Sequence, residues 1–184
     1  MFSFLGRSKM TCKCLAETMA PQFLSMWMRE FDEDLQVPEP ISWVKRARTS
    51  QSDVKARQEW LLFCIAGYFL GCRASMGESE LHFTFARDFL EVFGGEIESQ
   101  RVFPTAKEFS SMSKLRSAEY WNLMSGSDPG HSILLVAGKF LQNVSCIPVD
   151  VAQAMVISSK FSSTTTTTKE LFDKVKRTIR LVPA

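Results

Sequence analysis

Apolar residues recur at helical spacing along most of the chain. Between positions 21 and 35 the apolar residues Leu24, Trp27, Met28, Phe31 and Leu35 fall at i, i+3, i+4, i+7 and i+11. This spacing places them on one face of a helix. Pro21 suits the first turn of that helix, where its missing N–H would have no partner in any case. The pattern therefore predicts an amphipathic helix that begins at Pro21.

The longest uncharged apolar stretch covers thirteen residues, 60–72, and ends at Arg73. As a helix it would be about 20 Å long, whereas the apolar core of a bilayer is about 30 Å thick. The stretch is therefore too short to cross a membrane. We expect a central helix, from about 53 to 72, that is buried on most of its sides.

Two later segments are ambiguous in this pattern. Residues 80–86 alternate in polarity as a strand does, but 78–93 as a whole repeats at helical spacing, with Gly94-Gly95 as the expected end. The longer repeat favours a helix. Residues 132–141 fit either a buried strand or a helix, because a short apolar run is compatible with both.

Two sequences of the capping-box type mark further helix starts. One runs from Thr105 to Glu108 and the other from Thr167 to Glu170. In each, the hydroxyl and the carboxylate can bond to free N–H groups of the first helical turn. The threonine tract at 164–168 has consecutive β-branched polar residues, which neither favour a helix nor supply a core. We expect this tract to be an exposed linker.

These elements predict a mainly α fold, a single compact helical domain organised around the central helix. The core domain would cover 21–162, after an N-terminal segment at 1–20 that we expect to be partly mobile. A threonine-rich linker at 163–168 would then connect the domain to a basic amphipathic helix at 169–184. We expect that last helix to act as a movable arm.

Residues that carry chemistry are few and poorly grouped. The chain has an odd number of cysteines and two histidines: Cys12, Cys14, Cys64, Cys72, Cys146, His82 and His131. The Cys12-Lys-Cys14 spacing does not suit a tetrahedral zinc site, and no nucleotide-binding or hydrolase motif occurs. We therefore predict no disulfide framework, metal, cofactor, small-molecule substrate or catalytic residue. The N-terminus lacks the order of a secretory signal, which favours an intracellular location.

Charge is the property with the clearest layout. The total is only +2, from 22 basic and 20 acidic residues, which disfavours a uniformly basic nucleic-acid binder. The basic residues nevertheless form two blocks, Lys45, Arg46, Arg48, Lys55 and Arg57 in the first, and Lys174, Lys176, Arg177 and Arg180 in the second. An acidic block occupies 78–98. Blocks of opposite sign on one chain can attract an anionic partner or a second copy of the same chain.

These features together favour a non-enzymatic structural or interaction protein. We expect it to form homo-oligomers and to use its basic blocks on an anionic surface, either membrane headgroups, as a peripheral protein, or an RNA backbone. Viral matrix-like and nucleocapsid-associated proteins are of this kind. One alternative is a nucleic-acid-binding regulatory protein in which Trp43 stacks on a base beside the first basic block. Another is a small enzyme that uses His131 or two carboxylates brought together in space.

Overall fold

In the described part of the chain, six helices are flanked by two short strands. The computed structural model describes residues 8–37, 42, 44–45, 53–125, 128–144 and 151–183. The order is β1 (Ser8–Thr11), α1 (Cys12–Gln36), α2 (Asp53–Met76), α3 (Glu80–Ser99), α4 (Ala106–Met124), α5 (Pro129–Val144), α6 (Val151–Thr178) and β2 (Ile179–Val182). The predicted mainly α fold is confirmed, with a small two-stranded sheet that the sequence did not indicate.

The predicted central helix is α2, which contacts each of the other five helices described here. Every residue from Glu59 to Tyr68 is buried. The rings of Trp60 and Phe63 stack with their centroids 5.5 Å apart, and Phe63 meets Phe140 of α5 at 4.5 Å. None of the helices in the described ranges combines the length and the apolar character needed to cross a bilayer.

The threonine tract is helical and packed, so the prediction of an exposed linker at 163–168 is wrong. α6 runs unbroken through it. Thr165 donates a hydrogen bond to the carbonyl of Gly67 at 3.3 Å, and Thr168 is only 5% exposed and lies against Gly71. Gly67 and Gly71 are one helical turn apart in α2 and have no side chains, which lets the two helix backbones come close together. The glycines of α2 therefore supply the packing surface for the threonines.

Residues 8–20 belong to the packed structure and not to a mobile N-terminal segment. β1 pairs with β2, and α1 begins well before the predicted start at Pro21. The Thr11 hydroxyl caps α1 by accepting a hydrogen bond from the N–H of Cys14 at 3.2 Å. Pro21 lies inside α1 on its exposed side. The apolar stripe extends back through residues that are all buried, namely Cys12, Leu15, Ala16, Met19 and Ala20.

The two ambiguous segments are both helical, as α3 and α5. α3 does not end at Gly94-Gly95 as expected, but continues beyond them. A Cβ atom at Gly94 would lie 3.2 Å from the Cβ of Ala106 in α4. This glycine therefore allows a close contact between α3 and α4 and does not mark the end of α3. The predicted helix start at Thr105 is confirmed, since its hydroxyl caps α4 by accepting a hydrogen bond from the N–H of Glu108 at 3.1 Å.

Candidate functional site

Four exposed cations lie on the two short strands and on the end of α6 that leads directly into β2. They are Lys9 in β1, Lys174 and Arg177 in the last turns of α6, and Arg180 in β2. Within the described ranges, no ion pair joins any of these four side chains to a carboxylate. We call this group of four residues the basic corner.

The parallel sheet fixes the position of two of these cations. Lys9 is the register partner of Arg180, as Met10 is of Leu181. Side chains alternate between the two faces of a sheet. Because Leu181 is 8% exposed and packs in the core, Lys9 and Arg180 share the outer face. Like charges directly opposite each other repel, so an anion bound over this pair would relieve the repulsion. Lys9 was not among the predicted binding residues, since only the pairing of distant strands brings it here.

Polar contacts fasten the end of α6 to α2. Asp173 accepts hydrogen bonds from Lys169 at 2.8 Å and from Ser75 of α2 at 2.6 Å. These two bonds lower the pKa of Asp173 from 3.8 to about 2. Lys176 donates to the carbonyl of Ser75 and lies 3.7 Å from Asp173. Lys176, a predicted binding residue, therefore helps to hold the helix in place, and the basic segment is a fixed part of the bundle and not a movable arm.

Residues of the first predicted basic block take part in internal contacts. Lys45 donates a hydrogen bond to the carbonyl of Val37 at 2.7 Å. The guanidinium of Arg57 lies over the ring of Phe31, 4.8 Å from its centroid, which is a cation–π contact. Lys55 is exposed. Lys45 and Arg57 therefore contact α1 and its C-terminal cap, which makes them less available to a partner.

The two basic blocks are not brought together. Arg57 lies near the start of α2, whereas Ser75, which contacts the second block, lies near its end. The helical rise separates these two positions by about 27 Å. One small anionic ligand therefore cannot touch both blocks at once. Three residues considered with the first block lie outside the described residues, namely Trp43, Arg46 and Arg48.

Carboxylates of the acidic block at 78–98 are largely engaged inside the chain. Glu98 accepts a hydrogen bond from the N–H of Ala106 at 3.0 Å, where α4 begins. Three more form ion pairs, Glu78 with Arg73, Asp88 with Arg87 and Glu91 with Lys13. These contacts neutralise part of the charge that was expected to attract a second copy.

Two carboxylates do come together in space, around Arg116 of α4. The guanidinium donates to both oxygens of Glu59 at 2.8 and 2.6 Å and to Glu119 at 2.9 Å. Glu119 also pairs with Lys139 of α5 at 3.4 Å. Because both carboxylates are neutralised by cations, the cluster suits a structural link between α2, α4 and α5 better than acid–base chemistry. His131, the other candidate catalytic residue, is exposed near the start of α5.

The cysteines of the described chain are unpaired. Free thiols are found at Cys12, Cys14, Cys64 and Cys72, while Cys146 lies outside the described residues. Burial raises the pKa of the Cys64 and Cys72 thiols well above 9.0. Across the described ranges, no group of three or more His, Cys, Asp or Glu side chains is placed to hold a metal ion.

The basic corner differs from the two charge clusters described above in one respect. Its cations face solvent, whereas the charges around Arg116 and Asp173 are paired internally. Of these three groups of charges, the basic corner is therefore the one whose cations are not paired within the described chain. Comparisons of the chain with protein-family models, with curated proteins and with solved structures find no match.

Proposed function

We propose that the protein is a non-enzymatic interaction protein that binds anionic lipid surfaces through its basic corner and does so as a homo-oligomer. It would act inside the cell as a peripheral membrane protein, in the class of small matrix-like or nucleocapsid-associated structural proteins of viruses. One observation carries the proposal. Lys9, Lys174, Arg177 and Arg180 gather on fixed elements, exposed and without carboxylate partners in the described chain.

The number of cations sets the expected strength of binding. Each Lys or Arg near an anionic surface contributes about 1 kcal/mol. Four of them would contribute about 4 kcal/mol, which corresponds to a Kd of about 1 mM. One copy would therefore bind weakly. Two linked copies would bind far more tightly, because the second contact becomes intramolecular.

The side chains that accompany the cations favour a lipid surface over RNA. Proteins that bind single-stranded RNA commonly present exposed aromatic rings on which bases stack. In the part of α6 that carries the cations, Phe172 is buried, while the aliphatic Leu171 is 39% exposed. An aliphatic side chain beside Lys and Arg suits the interface between headgroups and acyl chains.

Exposed apolar residues at the start of α6 support self-association. Val151 is 74% exposed and Met155 is 62% exposed, and the two lie one helical turn apart on the same face. A second copy that covered this face would remove apolar surface from water. The basic corner lies at the other end of α6, so this contact would leave its cations accessible.

Charge reversal tests the proposal against a control of equal charge. One variant carries Lys174→Glu and Arg177→Glu, and the control carries Lys107→Glu and Lys114→Glu, which are exposed positions of α4. Binding is measured by co-sedimentation with phosphatidylserine vesicles and by capture of a labelled single-stranded RNA. Because all four positions are exposed, both variants should unfold close to the midpoint of the unaltered protein.

We expect the corner variant to bind vesicles at least about thirtyfold more weakly, since two contacts of about 1 kcal/mol each are lost. The control should keep most of its binding. An equal loss in both variants would show that only net charge matters and would refute the basic corner as the site. Tight RNA binding without vesicle binding would favour the nucleic-acid alternative. A strict monomer at high concentration in sedimentation velocity would refute self-association.

A further inference from the structure

A cavity of about 260 Å³ lies between α2, α3 and α4, and none of the four residues of the basic corner is among its lining residues. Apolar side chains form most of its wall, with Phe69 of α2 and Tyr120 and Trp121 of α4 among them. A groove of about 720 Å³ runs between α3 and α4 and shares Phe69, Ala86 and Ser117 with the cavity. The two spaces therefore adjoin each other along these three residues.

His82 of α3 lies in the wall of the cavity and is only 7% exposed. Neither of its ring nitrogens has a hydrogen-bond partner. Burial lowers the pKa of His82, and the nearby charge of Arg73 lowers it further. The backbone of Phe69 acts in the opposite direction, although it does not form a hydrogen bond of normal geometry with the ring. The imidazole is therefore neutral at pH 7 and offers one N–H donor.

Two further groups accompany His82 in the cavity wall. The hydroxyl of Ser117 is buried and has no hydrogen-bond partner. The guanidinium of Arg73 lies over the ring of Trp121, 3.4 Å from its centroid, and forms an ion pair with Glu78. The side chains of His82 and Ser117 thus border the space, but their polar atoms are covered in this structure, so a ligand reaches them after a rotation of each side chain. The guanidinium of Arg73 adds a positive charge to the wall, since Glu78, its ion-pair partner, is not among the lining residues.

We propose that this site binds a fatty acid. Its carboxylate accepts hydrogen bonds from His82 and Ser117 beside Arg73, after the side chains of His82 and Ser117 rotate toward it, and its alkyl chain lies in the groove over Phe69 and Leu90. A buried polar group without a hydrogen bond costs free energy, and a carboxylate supplies an acceptor to both donors. Arg73 would repel a cationic headgroup. An alkane would leave both donors unpaired.

Dodecanoate tests the site, with dodecanol and dodecyltrimethylammonium as controls of equal chain length. Binding to the full chain is measured by isothermal titration calorimetry below the critical micelle concentration. We expect saturable binding of one dodecanoate per chain. The two controls should bind at least about tenfold more weakly, because a hydrogen bond to a charged group is lost. Dodecanol binding as tightly as dodecanoate, or no saturable binding of dodecanoate, would overturn the proposal.

Two matched pairs of variants locate the carboxylate. His82→Phe and Ser117→Ala remove the donors, while His131→Phe and Ser111→Ala make the same changes at exposed positions. Dodecanoate affinity should fall about tenfold in the first pair and stay unchanged in the second. An unchanged affinity in His82→Phe refutes the assignment. Should that variant not fold, the ring signals of the unaltered protein give the same test by NMR. The His82 signal shifts with dodecanoate and the His131 signal does not if the assignment is right, and an unmoved His82 signal overturns it.

Discussion

Gly71 is a position where α2 and α6 touch without an intervening side chain. A Cβ atom at Gly71 would lie 2.5 Å from the carbonyl oxygen of Thr165 and 2.7 Å from the Cβ of Thr168. Both distances are far below van der Waals contact. The first involves backbone, so α6 itself would have to move to make room. We therefore predict that Gly71→Ala destabilises the protein by loosening α6 from α2.

Two effects of opposite sign set the magnitude of this change. Alanine is favoured over glycine in a helix interior by about 1 kcal/mol. An extra methyl group in a well-packed contact costs about 1–3 kcal/mol, and the shift of α6 would also weaken the hydrogen bond between Ser75 and Asp173. We expect a net destabilisation of about 1–2 kcal/mol, or about 2–8 °C in Tm.

Gly95→Ala is the matched control, because nothing lies within 4 Å of a Cβ atom at that exposed position of α3. It should stabilise the protein by about 0.4–1 kcal/mol. Urea denaturation followed by circular dichroism measures both variants. If Gly71→Ala stabilises the protein as much as Gly95→Ala does, the threonine tract is not packed on α2 and the linker prediction would be right after all.

Three further predictions concern buried and charged groups. Arg116→Met should cost about 3–5 kcal/mol in urea denaturation, because it leaves the buried Glu59 carboxylate without its cation, and an unchanged midpoint would show that the pair is not needed. The pKa of Asp173 is lowered to about 2, so its hydrogen bonds stabilise the fold above pH 3.8 and this stabilisation disappears as the pH falls through about 2. The Asp173→Asn variant should not show this acid-dependent loss of stability, and an acid-unfolding curve like that of the unaltered protein would contradict the prediction. In the native protein a thiol reagent should label the exposed Cys14 and spare Cys64, because Cys64 is buried and burial raises the pKa of its thiol. Rapid labelling of Cys64, measured by mass spectrometry, would contradict this prediction and would show that the core is open to the reagent.

The helices that sequence alone predicted are those whose pattern is complete within one segment. The apolar run at 60–72 predicts burial on most sides, and α2 is buried in that way because all other described helices pack around it. The N-cap at Thr105 likewise depends on residues within one turn. A local pattern therefore predicts an element when the forces that form it are local.

The threonine tract and the basic corner depend on distant residues. Thr165 and Thr168 are helical because Gly67 and Gly71, far away in the chain, let α6 approach α2. Lys9 reaches the basic corner only through strand pairing with Arg180, and strands of four residues have too little pattern to be recognised. Intrinsic propensity is a weak guide wherever tertiary contacts decide the outcome.

Paramagnetic relaxation from a gadolinium-chelated lipid shows directly which surface of the protein meets anionic lipid. The isotope-labelled chain is mixed with phosphatidylserine bicelles that carry the chelate, and the broadening of each backbone amide signal is measured by NMR. If the basic corner is the binding surface, the strongest broadening falls at Lys9, Arg177 and Arg180 and is weak at Lys55 and Arg57. Strongest broadening at Lys55 and Arg57, or uniform broadening over the whole molecule, would contradict it.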